Sequence, residues 1–376
     1  MGMISNIKDR LLDKIDLGNS GILKFPLTKT GKLLNDYVKG EFVVVSGRKT
    51  SGKRSFIFKN YVLHPIMEKL TYKQELDVRI FYFSTKKTAD EIVEKIATSY
   101  VAQKIAAKKD DKMHNKISIS SFYNYSGADI PMSPSNAKSN LVSAFTVINA
   151  FVEKNYLKII GGTKSIFEIK NIIKSIFGSY GRFDEDFDEF TYKEEFHNII
   201  PIIIIDDASM VLGEDGRNCV KNDNSARLGV VLKDLAKTLN AIVVLNVPSG
   251  NTYVSQKESF YINKIEEIGP YSNLADKILF MHNPKETGDR YSFDYEMADF
   301  TNLNSGVCYF RHMTIAANTL GPSGITVPYF FFPQSGNIFE LPGIDSDKLD
   351  EYKELVYNKK KAKPKKDEVD AIDDDE

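Results

Sequence analysis

The stretch FVVVSGRKTSGKRSFIFKNYV, residues 42–62, decides how this chain is read. An apolar run ends in Gly47, Gly52-Lys53 follows, and an amphipathic segment continues from there. This is the layout of a phosphate-binding loop: glycines let backbone amides close around an anion at a helix N-terminus, a lysine reaches the terminal phosphates, and a Ser or Thr hydroxyl ligates magnesium. Gly47, Lys49, Thr50, Ser51, Gly52 and Lys53 supply the first two parts. The hydroxyl is missing, because Arg54 stands in its place and Ser55 comes one residue, about 100° around a helix, too late. Residues 47–55 are thus a candidate nucleotide site with an altered metal position.

Working outward, the pattern alternates strands and helices. VRIFYFS (78–84) reads as a second buried strand and ADEIVEKIATSYVAQKI (89–105) as an amphipathic helix. A short helix is expected around Leu33–Tyr37, a strand over Phe42–Val45 and a helix over 53–70. Residues 106–157 read as mixed and mostly helical, with a loop near 131–137. A strand over Leu157–Gly161 and a helix in SIFEIKNIIKSIFGSY follow. RFDEDFDEFTYKEEFHN, about 181–197, reads as an acidic insertion, a solvated loop or lid. IIPIIIIDDAS is the most hydrophobic strand and ends in Asp206-Asp207, where an outer-shell magnesium carboxylate would stand. LGVVLKDLAKTLN is expected to be a helix, and AIVVLNVPS and KILFMHN strands. VCYFRHMTIA, TVPYFFFP and NIFEL then read as strands and hairpins closing the sheet. Such alternation implies an α/β fold, a mostly parallel sheet flanked by helices, with antiparallel strands at its C-terminal end.

The 376 residues are 42 % hydrophobic and 27 % charged, enough to bury a large core. With a formal net charge of −1, any nucleic-acid surface is a local patch, not a molecule-wide field. Cys219 and Cys308 lack CxxC spacing, and five scattered histidines have no metal-ligand spacing, so no disulfide framework or transition-metal site is expected. The start lacks a secretory signal and no run is long enough for a membrane helix, which predicts a soluble intracellular protein without a membrane partner. Ile4, Ile7, Leu11, Leu12 and Ile15 mark a short amphipathic helix over 3–15, which packs either on its own domain or on a neighbouring subunit. The expected organisation is a helix and linker over 1–21, one domain over 22–345, and from 346 a helix end and a tail. That tail, KKKAKPKKDEVDAIDDDE, is basic then acidic and disordered by composition.

From about residue 22 to 342 the chain resembles the C-terminal RecA-like motor domain of the DnaB-type hexameric replicative helicases, including their phage relatives. The resemblance rests on six blocks in family order: GILKFPLTKTGKLLNDYVKGEFVVVSGR, FYFSTKKTADEIVEKIATSY, IIIIDDASMV, LKDLAKTLNAIVVLNVPSG, SNLADKILFMHN and AANTLGPSGITVPYFFFPQSGNIFEL. It implies a RecA-like P-loop NTPase fold, ATP as cofactor with Mg2+, an oligomer, single-stranded DNA, work in replication or recombination, and, for a phage protein, the host cytoplasm. It also implies what is altered. Lys86 stands where the family has its catalytic Glu. Arg54 replaces the magnesium-ligating Thr or Ser, leaving only Asp206 and Ser55 as metal candidates. Val247 aligns with the phosphate-sensing Gln, Asn246 coming one residue early. Ala317 and Thr319 stand where a Lys and an Arg reach into the neighbour's site.

An arginine finger supplies roughly 10³ to 10⁵ in rate and a general base on the order of 10² to 10⁴, so these losses predict impaired hydrolysis. Three readings stay open. One is a pseudo-ATPase that acts as scaffold, loader or regulator, alone as a homo-oligomer or with an active helicase. A second is an active helicase with relocated groups: Asp207 or Glu91 as base, Ser55 for magnesium, Arg311 in trans. The third is a structural interaction protein with a vestigial loop. In the first, nucleotide held without magnesium and an empty loop are both compatible with the residues. Loops facing the ring centre in the family correspond here to residues 213–227 and 250–264. They offer Arg217, Lys221, Lys257 and Lys264 to DNA phosphates and Tyr253, Phe260 and Tyr261 to bases, amid Glu214, Asp215 and Glu258. The tail is the expected contact with replication proteins.

Overall fold

The computed structural model describes residues 23–71, 77–123, 132–184, 189–217, 219, 223–249 and 268–357. The expected helix over 3–15, Lys221, Lys257, Lys264, the three candidate stacking aromatics and the tail lie outside these residues.

The strands are β1 (Phe42–Gly47), β2 (Asp77–Ser84), β3 (Leu157–Gly161), β4 (Gly181–Phe183), β5 (Phe190–Tyr192), β6 (Ile199–Asp206), β7 (Ile242–Pro248), β8 (Lys277–His282), β9 (Tyr291–Ser292), β10 (Tyr295–Glu296), β11 (Phe310–Asn318), β12 (Ile325–Phe331) and β13 (Ile338–Glu340). Nine of them form one sheet in the order β13-β12-β11-β8-β1-β7-β6-β2-β3. From β3 to β8 neighbours run parallel; β11, β12 and β13 add antiparallel. The mostly parallel sheet with an antiparallel C-terminal end is the one expected. β6 is buried along its whole length, as an apolar run covered on both faces must be. Pro201 is tolerated within it because pairing to β7 begins only at Ile202, so the missing N–H falls where one side of the strand is still open.

Alternation along the strands sorts the core into two layers. Val43, Val45, Tyr82, Ile202 and Ile204 face one side; Phe42, Val44, Phe81, Ile203 and Leu245 face the other. The longer helices are α1 (Thr28–Leu34), α2 (residues 53–71, with a π-helical turn at Lys59–Leu63), α3 (Ala89–Lys109), α4 (Pro134–Glu153), α5 (Ile166–Phe177), α6 (Asp223–Thr238) and α7 (Lys348–Val356). The first layer packs under α2, α3 and α4, the second under α5 and α6. Leu349, Tyr352 and Val356 of α7 join a third cluster with Tyr295, Phe300 and Phe330.

Three local expectations change. The short helix near Leu33–Tyr37 is instead Thr28–Leu34, because Asn35 and Asp36 take left-handed φ of 54° and 51° and end it. Pro134–Ala137 is no loop: it is the first turn of α4, with Pro134 at its start and the Ser133 hydroxyl accepting from the Asn136 amide. The acidic insertion includes the hairpin β4–β5, whose Phe183, Phe190 and Tyr192 pack on the second layer, with Tyr192 Oη donating to the Leu239 carbonyl at 2.5 Å. Its aromatics outweigh its charge, since each has far more apolar surface to hide.

Ile203 is fully buried in β6, an interior strand, whereas Phe167 on α5 is 64 % exposed. Ile203→Ala is expected to lower unfolding free energy by about 3 kcal/mol and Phe167→Ala by under about 0.5 kcal/mol, read from denaturant midpoints.

Candidate functional site

The parallel register brings the site together in one row. Ser84 of β2 lies beside Asp206 of β6, and Asp206 beside Asn246 of β7, at the carboxyl edge of the sheet where β1 enters the loop. This is the edge at which open α/β sheets build their sites.

β1 hands the chain to α2 through two glycines that no other residue replaces without strain. A Cβ on Gly47 would lie 2.4 Å from the Met281 carbonyl oxygen and 2.5 Å from Ser51 Oγ, and Gly52 has φ 88°. Gly52 opens α2 and no side chain caps the helix there, so its first amides point into the loop. Ser51 Oγ donates to the Arg48 carbonyl at 2.8 Å and Lys53 Nζ to the same oxygen at 3.2 Å. Lys49 and Thr50 are exposed. Lys53 is buried, and that burial brings its pKa down to about 8.

Arg54 decides the chemistry. Its Nε lies 2.9 Å from Asp206 Oδ1 and 2.7 Å from Oδ2. Tyr82 Oη donates to Oδ2 at 2.5 Å and Asn246 Nδ2 to Oδ1 at 2.6 Å. A carboxylate offers about four acceptor positions, and these three donors take up most of them. Burial works against the guanidinium charge, but the attraction of Asp206 outweighs it and raises the Arg54 pKa. Burial, then Asp206, holds the Tyr82 hydroxyl well above its ordinary pKa, so it stays a donor.

Asp207, joined to Asp206 by a cis peptide, is taken up in the same way. Lys86 Nζ lies 2.7 Å from its Oδ2 and Arg54 Nη2 3.8 Å, while the Ser209 amide and hydroxyl bond its Oδ1. Lys95 of α3 completes the cluster, its Nζ 4.6 Å from the Phe58 ring centre and its pKa brought to about 8 by burial. Among the described residues Lys53, Arg54, Lys86 and Lys95 thus gather around two carboxylates, Asp206 and Asp207, and the local charge is positive.

These residues do not fit a magnesium ion. Both oxygens of Asp206 already accept from protein donors, the Arg54 guanidinium lies against it with its own positive charge, and Ser55 is turned to the β12–β13 turn, its Oγ 3.1 Å from where a Cβ on Gly336 would lie. Among the described residues no group of three or more His, Cys, Asp or Glu is placed to hold a metal.

The other candidates are placed as follows. Glu91 is half-exposed, caps α3 with Thr88 and pairs with Lys87 at 3.2 Å. Val247 belongs to the opposite core layer, so Asn246 is the β7 residue that meets the site. Ala317 is packed on the second layer, and Thr319 bonds the Asp276 carbonyl through its amide at 2.9 Å and its hydroxyl at 3.0 Å. Arg311 is buried in β11, its Nη1 bonded to Asn283, Cys308 and Phe310, and so is not extended toward another subunit. Arg217 is exposed beside Asp215 at 3.7 Å.

Tyr82 and Lys95 were missed from sequence. Period-2 alternation back from Ser84 places Tyr82 on the α2 face, and the Thr88–Glu91 cap sets the phase that brings Lys95 to the edge of the buried Ile92–Ile96 stripe.

A strand–glycine loop–helix at the carboxyl edge of such a sheet defines the RecA-like architecture. No protein-family model and no curated protein sequence matches the chain. Among solved structures, the ATPase domain of G40P is similar with a TM-score of 0.60 and 16 % identity, over 91 % of this chain and 100 % of that one. A DnaB-like replicative helicase, described together with its interactions with primase, is similar with a TM-score of 0.57 and 16 % identity, over 89 % of this chain and 67 % of its own. At that identity the likeness establishes the fold: this chain has the fold of DnaB-like helicase ATPase domains.

Removing the Asp206 carboxylate leaves the Arg54 charge, the Tyr82 hydroxyl and the Asn246 amide without their acceptor. Asp206→Ala is expected to cost about 3–5 kcal/mol in a denaturant titration. Lys53 behaves oppositely. With a folded pKa of about 8 against an ordinary 10.5, the unfolded chain binds its proton more tightly, so the charged lysine destabilises the fold below pH 8 and the penalty fades as pH rises toward 10.5. Lys53→Met should therefore raise the melting temperature at pH 7, with the gain shrinking by pH 10.

Proposed function

We propose that this chain is a DnaB-like subunit that has lost ATP hydrolysis and acts in DNA replication or recombination, of the phage type, as a scaffold, loader or regulator. Its loop holds a nucleotide or other polyphosphate without magnesium. The observation that carries this reading is the Arg54–Asp206 pair at 2.7 Å: a fixed guanidinium supplies the positive charge at the metal position. Lys86 on Asp207 at 2.7 Å supports it, because the place of the water-activating carboxylate holds an ammonium already neutralised by an acid. The charge surplus from Lys53 and Lys95 and the uncapped start of α2 favour an anion over an empty loop.

Assembly would use the subunit interface of this fold, as a homo-oligomer or beside an active helicase. Ala317 and Thr319 bring no cation to a neighbour's site, so the subunit would not complete catalysis in trans. Single-stranded DNA would meet Arg217, Lys221, Lys257 and Lys264, and a replication protein would meet the tail; the similar helicase's interactions with primase make a protein of that kind the first to try.

The test is calorimetric titration with ATP, with magnesium or with a chelator, beside steady-state hydrolysis with single-stranded DNA. The expected result is an affinity that magnesium changes by less than about twofold, and no turnover. DNA-stimulated turnover would overturn the reading, and absence of binding under both conditions would leave a vestigial loop. The double substitution Arg54→Thr with Lys86→Glu should make binding depend on magnesium by about tenfold or more.

A further inference from the structure

Arg311 carries a buried charge with no carboxylate counter-ion among the described residues. The residue is 5 % exposed; its Nη1 donates to Asn283 Oδ1 at 3.1 Å, to the Cys308 carbonyl at 2.9 Å and to the Phe310 carbonyl at 2.5 Å, while Nε has no acceptor. Every one of those acceptors is neutral. Among the described residues no carboxylate lies within ion-pair distance of it; what attracts it is first the Cys308 side chain beside it and then Glu286, farther off. Burial lowers its pKa, yet a guanidinium keeps its proton, so the fold tolerates an uncompensated cation here.

Two separate chains of contact link that cation to the loop. Asn283 Nδ2 donates to Thr50 Oγ1 at 3.3 Å. The Phe331 ring centre lies 5.0 Å from Arg311 Cζ, and the same ring lies 3.6 Å from where a Cβ on Gly52 would be. By holding Asn283 Oδ1, Arg311 sets the orientation of the amide. Thr50 Oγ1 then accepts from Asn283, and its own proton is left to donate outward from an exposed position.

We infer that the missing counter-charge of Arg311 is the polyphosphate held in the loop, and that Arg311 is a positioning residue for it, acting through Asn283 on the Thr50 hydroxyl and through space by its charge. This rests on the reading that the loop takes an anion. A charge linked to the loop in this way keeps its effect at a distance because the intervening Phe331 and Asn283 exclude water.

The experiment is titration of the full chain with inorganic tripolyphosphate in chelator, at two ionic strengths. Wild type should bind, Lys53→Ala should abolish binding, Arg311→Met should weaken it about tenfold with a smaller salt dependence, and Arg311→Lys should stay within about threefold of wild type. Asn283→Asp is the check that does not depend on removing the buried arginine: it supplies the missing carboxylate, so it should fold at least as stably as wild type while binding falls about tenfold or more. If Lys53→Ala abolishes binding but Arg311→Met and Asn283→Asp bind as wild type does, the role of Arg311 is wrong and the loop reading stands. If wild type does not bind, or Lys53→Ala has no effect, both fall.

Discussion

The carboxylate of Asp206 is the point on which the site depends, and the guanidinium of Arg54 occupies it. One ion pair ties the first turn of α2 to the end of β6, and Tyr82 and Asn246 complete it from β2 and β7. Four elements are thereby fixed by a single buried acid. A pair of this kind is sensitive to the loss of either partner, because the remaining group is left buried with its full desolvation penalty. That is a different use of the position from holding a metal, which needs acceptors left vacant.

The same substitution logic runs through the rest of the site. Lys86 meets Asp207 on the neighbouring peptide, so both acids at the strand end are neutralised by residues the chain itself carries. Lys53 and Lys95 then stand without a carboxylate of their own, at a cost that burial makes visible in their lowered pKa values. Retaining buried lysines that weaken the fold is what is expected where binding, not stability, sets the residue.

The architecture beyond the site holds it rigid without contributing chemistry. Glu340 of β13 accepts from the amides of Lys29 at 3.0 Å and Thr30 at 2.6 Å, fastening α1 to the far edge of the sheet, and Gly336 packs against Ser55. The C-terminal strands thus grip the loop from behind. The fold is that of DnaB-like helicase ATPase domains, and a fold by itself does not fix an activity: folds host activities, and particular residues decide them.

Much of the frame was legible in the sequence, for a physical reason. Buried parallel strands must be apolar on both faces, and phosphate loops must have glycine where the backbone closes, so VRIFYFS, IIIID and Gly47 to Lys53 announce themselves locally. Composition misled where aromatics and acids alternate, in residues 181–197, because burial follows the apolar surface and not the charge count. Arg54, Lys86, Ala317 and Thr319, the residues that the resemblance sets at the metal, base and trans positions, were also readable one by one. What only the tertiary structure decided is how they are satisfied. Arg54 lies 152 positions from Asp206 and Tyr82 lies 124, Asn283 lies 233 from Thr50, and Arg311 lies 28 from Asn283. Such pairings arise from strand order and register, which bring distant segments to one edge of the sheet, and no local pattern encodes them.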